Sequence, residues 1–156
     1  MGRRHQSLIP LSRDHHDGLA LSQQIKTDHG TMDGWPADPV GQARFVSRFY
    51  DEHLKTHFAA EEESLFPFVT EHVPQAAALV KELVHEHRKM EQYASQFAVI
   101  DSPSASAQLS QFGMLLEQHI RKEERELFPL VEKHAPKEIL EKAGQMILNH
   151  YPPHKR

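Results

Sequence analysis

The sequence predicts an all-α protein, an up-down-up-down four-helix bundle with a short C-terminal accessory helix. Three observations carry this reading. Apolar residues recur every three to four positions in four long stretches. Short connections rich in Pro, Gly, Asp and Ser join those stretches, which makes consecutive helices antiparallel neighbours. No alternating strand pattern of useful length interrupts them. The 156 residues suffice for one domain with a proper core and are short for two. Residues 1–156 therefore read as a single domain, with its core over about 8–149.

The first helix is expected near 12–28. Ser12 is its N-cap and Gly30, after Asp28 and His29, its C-terminal signal. Its stripe runs Leu8, Leu11, Leu19, Ser22 and Ile25, and His15 falls on it. Residues 30–37 form a loop by their Gly, Asp and Pro content. Asp38-Pro39 then reads as an N-cap followed by proline at the first helical position. The second helix should run from about 39 into the sixties. Its inward stripe is Val46, Phe49 or Tyr50, His53, His57, Glu61, Leu65 and Phe68. Pro67 lies inside this pattern, so a kink or stop is expected near Leu65-Phe66, and Pro129 should act alike in the fourth helix.

Pro74 opens a third helix, about 75–99, with Leu83, His87, Met90, Ala94 and Phe97 on its stripe. His85 is two residues from His87, about 200° away in azimuth, and so faces elsewhere. The fourth helix spans about 104 to the early 130s, with Leu109, Phe112, Leu116, His119, Glu123, Leu127 and Leu130 inward. A fifth, roughly 137–149, carries Ile139, Leu140, Ala143, Met146 and Ile147 on its apolar face. The tail from Tyr151 to Arg156 is expected to be loose.

Two stretches of the chain nearly repeat. Residues 57–74 and 119–136 share His, Glu-Glu, Leu-Phe-Pro, Val, His and Pro in register. In each, His and Glu stand four apart, on one face of a helix, where an imidazole and a carboxylate can reach one ion together. Every long helix thus places a histidine on its apolar stripe, namely His15, His57, His87 and His119. Glu61 and Glu123 back two of them. A lone imidazole on such a stripe is more often a satisfied core residue than a ligand. Four, one per helix, reverse that, because burying so many ionisable groups is costly without a cation. The metal set is therefore His15, His57, Glu61, His87, His119 and Glu123, with Glu61 and Glu123 as bridges between two ions.

An N/O donor set without sulfur fits iron, manganese or zinc. Iron is preferred, since bridging carboxylates and open positions suit dioxygen chemistry. Glu62 and Glu124 also repeat, as outer carboxylates or as alternative ligands. His53 is an extra ligand or cavity-lining, and His16 the alternative to His15. A structural bundle without metal, or with one ion, is the remaining reading.

Composition excludes other classes. The chain has no cysteine, so disulfides, iron–sulfur clusters and thiolate sites are ruled out. A formal net charge of −4 argues against nucleic acid as a partner. The apolar segment Leu8-Ile9-Pro10-Leu11 is too short for a signal peptide, and no run approaches membrane-spanning length. A soluble cytoplasmic protein without a membrane partner is expected. No Gly-rich phosphate loop or His-Glu-x-x-His motif occurs.

Asp14-His15-His16, His57-x-x-x-Glu61-Glu62 with Leu65-Phe66-Pro67, Glu86-His87-Arg88, and His119-x-x-x-Glu123-Glu124 with Leu127-Phe128-Pro129 together resemble the hemerythrin-like, or HHE cation-binding, domain family. The resemblance covers about residues 8–149. It implies a four-helix bundle around two iron ions with a bridging oxo or hydroxo group, and a small diatomic or peroxide as ligand. The sequence departs from the oxygen carriers, which have a second histidine one turn along helix three and an Asp five residues after the helix-four histidine. Four His and two Glu are closer to the iron–sulfur-repair proteins of the same superfamily, whose cysteine-bearing N-terminal segment is absent here. The expected function is binding or sensing of dioxygen or a related diatomic. The alternative is a di-iron enzyme acting on peroxide or nitric oxide, or an iron-handling, iron–sulfur-repair-like protein.

Overall fold

The computed structural model describes residues 3–27 and 32–156. Among them every regular element is helical. Helix α1 spans Ile9–Thr27. Helix α2 runs over 39–72, as α-helical segments Pro39–Phe49, Lys55–Ala60 and Phe66–His72 joined by wider π-helical turns at Tyr50–Leu54 and Glu61–Leu65. Helix α3 is Ala77–Phe97. Helix α4 runs over 105–134, as Ala105–Lys122, a π-helical turn Glu123–Leu127, and Phe128–His134. Helix α5 is Lys137–Leu148.

Helix α2 starts where cap chemistry puts it. The Asp38 carboxylate accepts from the Gly41 N–H at 3.0 Å, with Pro39 in the first turn. Helix α1 departs from expectation. It begins at Ile9 after a short 3-10 turn, Gln6–Leu8, capped by the His5 ring, which accepts from the Ser7 N–H at 3.0 Å. Pro10 is preorganised for a first turn, so Ser12 lies inside the helix. Its hydroxyl instead donates to Glu124 at 2.7 Å. The expected stop at Asp28-His29-Gly30 lies outside the described residues.

The repeated prolines do not stop their helices. In an α turn the Pro67 ring would collide with the carbonyl four residues back and leave it without a donor. The chain instead widens just before the proline, and the Phe66 N–H bonds the Glu61 carbonyl, five residues back. Pro129 has the same solution, Phe128 N–H to Glu123 carbonyl. The extra residue per turn rotates the inward face. Phe66 and Phe128 are buried, whereas Phe68 and Leu130, expected inward, are only partly so.

Helix α1 packs on α4, α2 on α3 and α4, and α3 on α4. Two apolar clusters form the core. One holds Leu8, Leu11, Leu65, Phe66, Leu83, Leu127 and Phe128. The other holds Leu21, Phe49, Phe58, Met90, Phe112, Leu116 and Ile120. His15 follows residues of the first cluster along its helix and precedes residues of the second, as does His87. Along α2 and α4 the order of the clusters reverses. The histidines thus lie in a polar layer between two apolar blocks. Helix α5 packs against the N-terminal turn and the π-helical turn at Glu61. No helix among the described residues is long and apolar enough to cross a membrane.

Candidate metal centre

All six histidine and glutamate residues of the expected set meet in this polar layer. His15, His57, His87 and His119 are buried, and Glu61 and Glu123 have 0% exposure. Each ring turns its Nε2 atom toward the two carboxylates. His15 Nε2 lies 3.0 Å from Glu123, His119 Nε2 3.2 Å from Glu123, His87 Nε2 3.1 Å from Glu61, and His57 Nε2 3.6 Å from Glu61. The donor atoms fall into two overlapping groups. His15, His57, Glu61 and Glu123 form one, and His87, His119, Glu61 and Glu123 the other, each with its atoms within 4.8 Å of one another. The two glutamates belong to both.

Each Nδ1 atom faces outward to a carboxylate of a neighbouring helix. His57 meets Asp14 of α1 at 2.9 Å, and His87 meets Glu62 of α2 at 2.7 Å. His119 meets Glu86 of α3 at 2.8 Å, and His15 meets Glu124 of α4 at 2.5 Å. The chain of contacts runs α1 to α2 to α3 to α4 and back to α1. Asp14, Glu62, Glu86 and Glu124 all have pKa values below the ordinary carboxylate range. Burial opposes this in each, and the histidine partner together with the other donors and charges around the carboxylate outweighs it. An ionised carboxylate only accepts, so in a neutral ring the proton sits on Nδ1 and the Nε2 lone pair points inward. This is the tautomer a metal requires.

The outer carboxylates are anchored in turn. Arg4 donates to Glu124 at 3.1 Å, Lys122 to Glu86 at 2.6 Å, and Arg88 to Glu62. Asp14 receives the Tyr151 hydroxyl instead. Aromatic rings close the layer. Phe58 stacks on His87 at 3.9 Å, Phe66 on the same ring at 5.9 Å, and Phe128 on His15 at 5.7 Å. The duplicated motif therefore serves one purpose twice. Glu62 and Phe66 hold His87 as Glu124 and Phe128 hold His15.

The inward atoms lack hydrogen bonds. The Nε2 atoms of His15, His57, His87 and His119 and both carboxylate oxygens of Glu61 and Glu123 are buried without such a partner. Buried polar atoms are rarely left so, and eight gathered in two overlapping groups form a ready donor set for cations. Burial and the Glu123 charge push Glu61 well above the carboxylate range. Glu123 goes well below, because the influence of Glu61, His119 and His15 outweighs its burial. His15 is pushed up to about 9, as Glu123 and Glu124 overcome its burial. His87 falls to about 4, led by burial.

The alternatives take other places. Glu62 and Glu124 occupy the outer ring. His16 is exposed and outside the cluster. His53 is exposed, tilts against Phe49 at 4.8 Å, and lines a cavity of about 490 Å³ that reaches Asp14, His15, His57 and His119. His85 is exposed, as its azimuth requires. Sequence reasoning missed Asp14 and Glu86 as partners, although each directly precedes a stripe histidine. It also missed Tyr151. The tail expected to be loose has Tyr151 buried, since its ring packs with the apolar cluster and its hydroxyl finds Asp14.

A family model described as the Hemerythrin HHE cation binding domain matches residues 10–131. A comparison with curated proteins finds no match.

Proposed function

The chain belongs to the hemerythrin HHE cation-binding domain family, and from that premise we propose that it holds two iron ions and binds or senses dioxygen or a related diatomic. The observation that carries the reading is the convergence of eight orphaned donor atoms on six buried residues. His15 and His57 bind one ion, His87 and His119 the other, and Glu61 and Glu123 are shared by both, as the two overlapping donor groups support. Four imidazoles and two carboxylates leave positions for a small ligand, and the absence of sulfur favours iron over softer alternatives. Bound iron supplies the affinity for the diatomic. The protein residues do the rest. Asp14, Glu62, Glu86 and Glu124 fix ring orientation and tautomer, and Phe58, Phe66 and Phe128 pack against the His87 and His15 rings. The reversal of the two apolar clusters from helix to helix supports an up-down-up-down bundle around the site.

The test is a visible spectrum of anaerobically prepared ferrous protein before and after oxygen is admitted. New absorption that disappears when oxygen is withdrawn is the expected result. Irreversible oxidation, or no response, would count against carriage and sensing.

The cavity beside His57 favours a second reading. At about 490 Å³ it exceeds what a diatomic needs. An enzyme acting on peroxide or nitric oxide would use that space, and sustained turnover of either compound separates it from the first reading.

A further inference from the structure

Among the described residues, three of the four outer carboxylates are paired with a Lys or Arg side chain, and Asp14 is not. Glu124 has Arg4, Glu86 has Lys122 and Glu62 has Arg88. Asp14 has the neutral hydroxyl of Tyr151, a residue beyond the matched span and 137 positions away. Asp14 is also the most exposed of the four, at 34% against 24%, 12% and 26% for Glu62, Glu86 and Glu124. Water competes most there, and among the described residues no Lys or Arg side chain is paired with it. The histidine it orients, His57, stands furthest from its central glutamate.

Tyr151 is well placed to compensate. Its ring belongs to the apolar cluster beneath the site. Its backbone N–H bonds the Leu148 carbonyl at 3.0 Å as α5 ends, and its carbonyl accepts from Arg156 at 3.1 Å. Its hydroxyl stays protonated, since burial and the Asp14 charge raise its pKa far above the ordinary phenol range. His150, Tyr151, Pro152 and Lys155 form one side of the cavity whose lining includes Asp14 and His57.

We infer that Tyr151 is a positioning residue of the metal centre, which fixes the His57 ring through Asp14 and makes the His15–His57 subsite depend on the C-terminal segment. The inference rests on the two-metal reading above. Its consequence is inequality of the two subsites. Loosening Tyr151 weakens one and leaves the His87–His119 subsite, anchored by Arg88 and Lys122, as it was.

The test uses Co(II) alone, titrated anaerobically against a competing chelator into the full chain and its Tyr151→Phe variant. Phe keeps the ring and removes only the hydroxyl. Loss of a partner behind a metal-binding histidine typically costs 10–100-fold in metal affinity. Tyr151 acts one bond further out, so the expected result is one ion bound up to about 10-fold more weakly, with a changed ligand-field absorption, and the other ion unchanged. Asp14→Asn should weaken the same ion, and the double variant should be no worse than the poorer single one, because both act through one path. Two ions bound by Tyr151→Phe with parental affinity and spectrum would overturn the inference alone. So would equal weakening of both ions accompanied by lower melting of the metal-free variant, the mark of a merely structural role. A parent chain that takes up no Co(II) would overturn this inference and the two-metal reading together.

Discussion

Glu123 shows at the scale of one residue why the site asks for cations. It is fully buried, close to two imidazoles and beside a second carboxylate. Replacing it with Ala removes a ligand proposed for both ions, whereas His57→Ala removes one proposed for a single ion. Glu123→Ala should therefore lose both metals and His57→Ala at least one, measured as metal per chain after purification. Full metal content in both variants would refute the assignment. Glu86 gives a prediction in pH. Its folded pKa lies below 4.5, since the bonds to His119 and Lys122 outweigh burial. The unfolded carboxylate thus takes up its proton first as pH falls. Stability from Glu86 is complete above 4.5 and is lost as pH falls through the lower folded value. Glu86→Gln should destabilise the metal-free protein by about 1.5–3 kcal/mol at pH 7, the scale of hydrogen bonds to charged groups. The gap to the parent should narrow below pH 4.5, measured by denaturant unfolding at several pH values. A gap that is constant or widens on acidification would contradict it.

At the scale of elements, the sequence revealed what helical periodicity carries. The stripe brought out His15, His57, His87, His119, Glu61 and Glu123, because a period of 3.6 fixes which side chains share a face. It could not show the π-helical turns, since a wider turn leaves no mark in an apolar pattern; Pro67 and Pro129 follow two of them, and Tyr50–Leu54 has no proline after it. Phe68 was therefore read as inward, and Phe66, which is buried, was not placed on the stripe. Asp14, Glu86 and Tyr151 act across helices, and local spacing says nothing of partners on another element. The N-terminal turn was invisible for a similar reason: it docks on α5. A Cβ on Gly144 would lie 2.7 Å from Ser7 Cβ and 3.1 Å from its Cα. Gly144→Ala gains about 1 kcal/mol of helix propensity, but overpacking of a tight contact costs about 1–3 kcal/mol. The variant should melt at or below the parent temperature, and Ser7→Gly should restore it. A clear rise in melting temperature for Gly144→Ala alone would show that the turn yields freely.

At the scale of the whole molecule, the bundle is two apolar blocks separated by a layer of ionisable groups contributed by all four long helices. The ring of contacts between each histidine and the next helix's carboxylate makes the layer a cross-link as well as a site. Metal that binds the folded layer and not the unfolded chain adds its binding energy to folding. At free metal 100-fold above Kd this is about 2.7 kcal/mol per ion, or roughly 5–10 °C in melting temperature for a chain of this size. Chelation should therefore lower the melting temperature, and readdition of Fe(II) should restore it. A melting curve indifferent to both treatments would mean that the layer folds as well on protons as on metal.

The central claim is that six residues hold two ions. Metal analysis of the anaerobically purified chain, beside its Glu61→Ala and Glu123→Ala variants, tests it most directly. Two irons per parent chain and their loss from both variants are the expected result. One iron or none in the parent, or two irons retained by both variants, would contradict it.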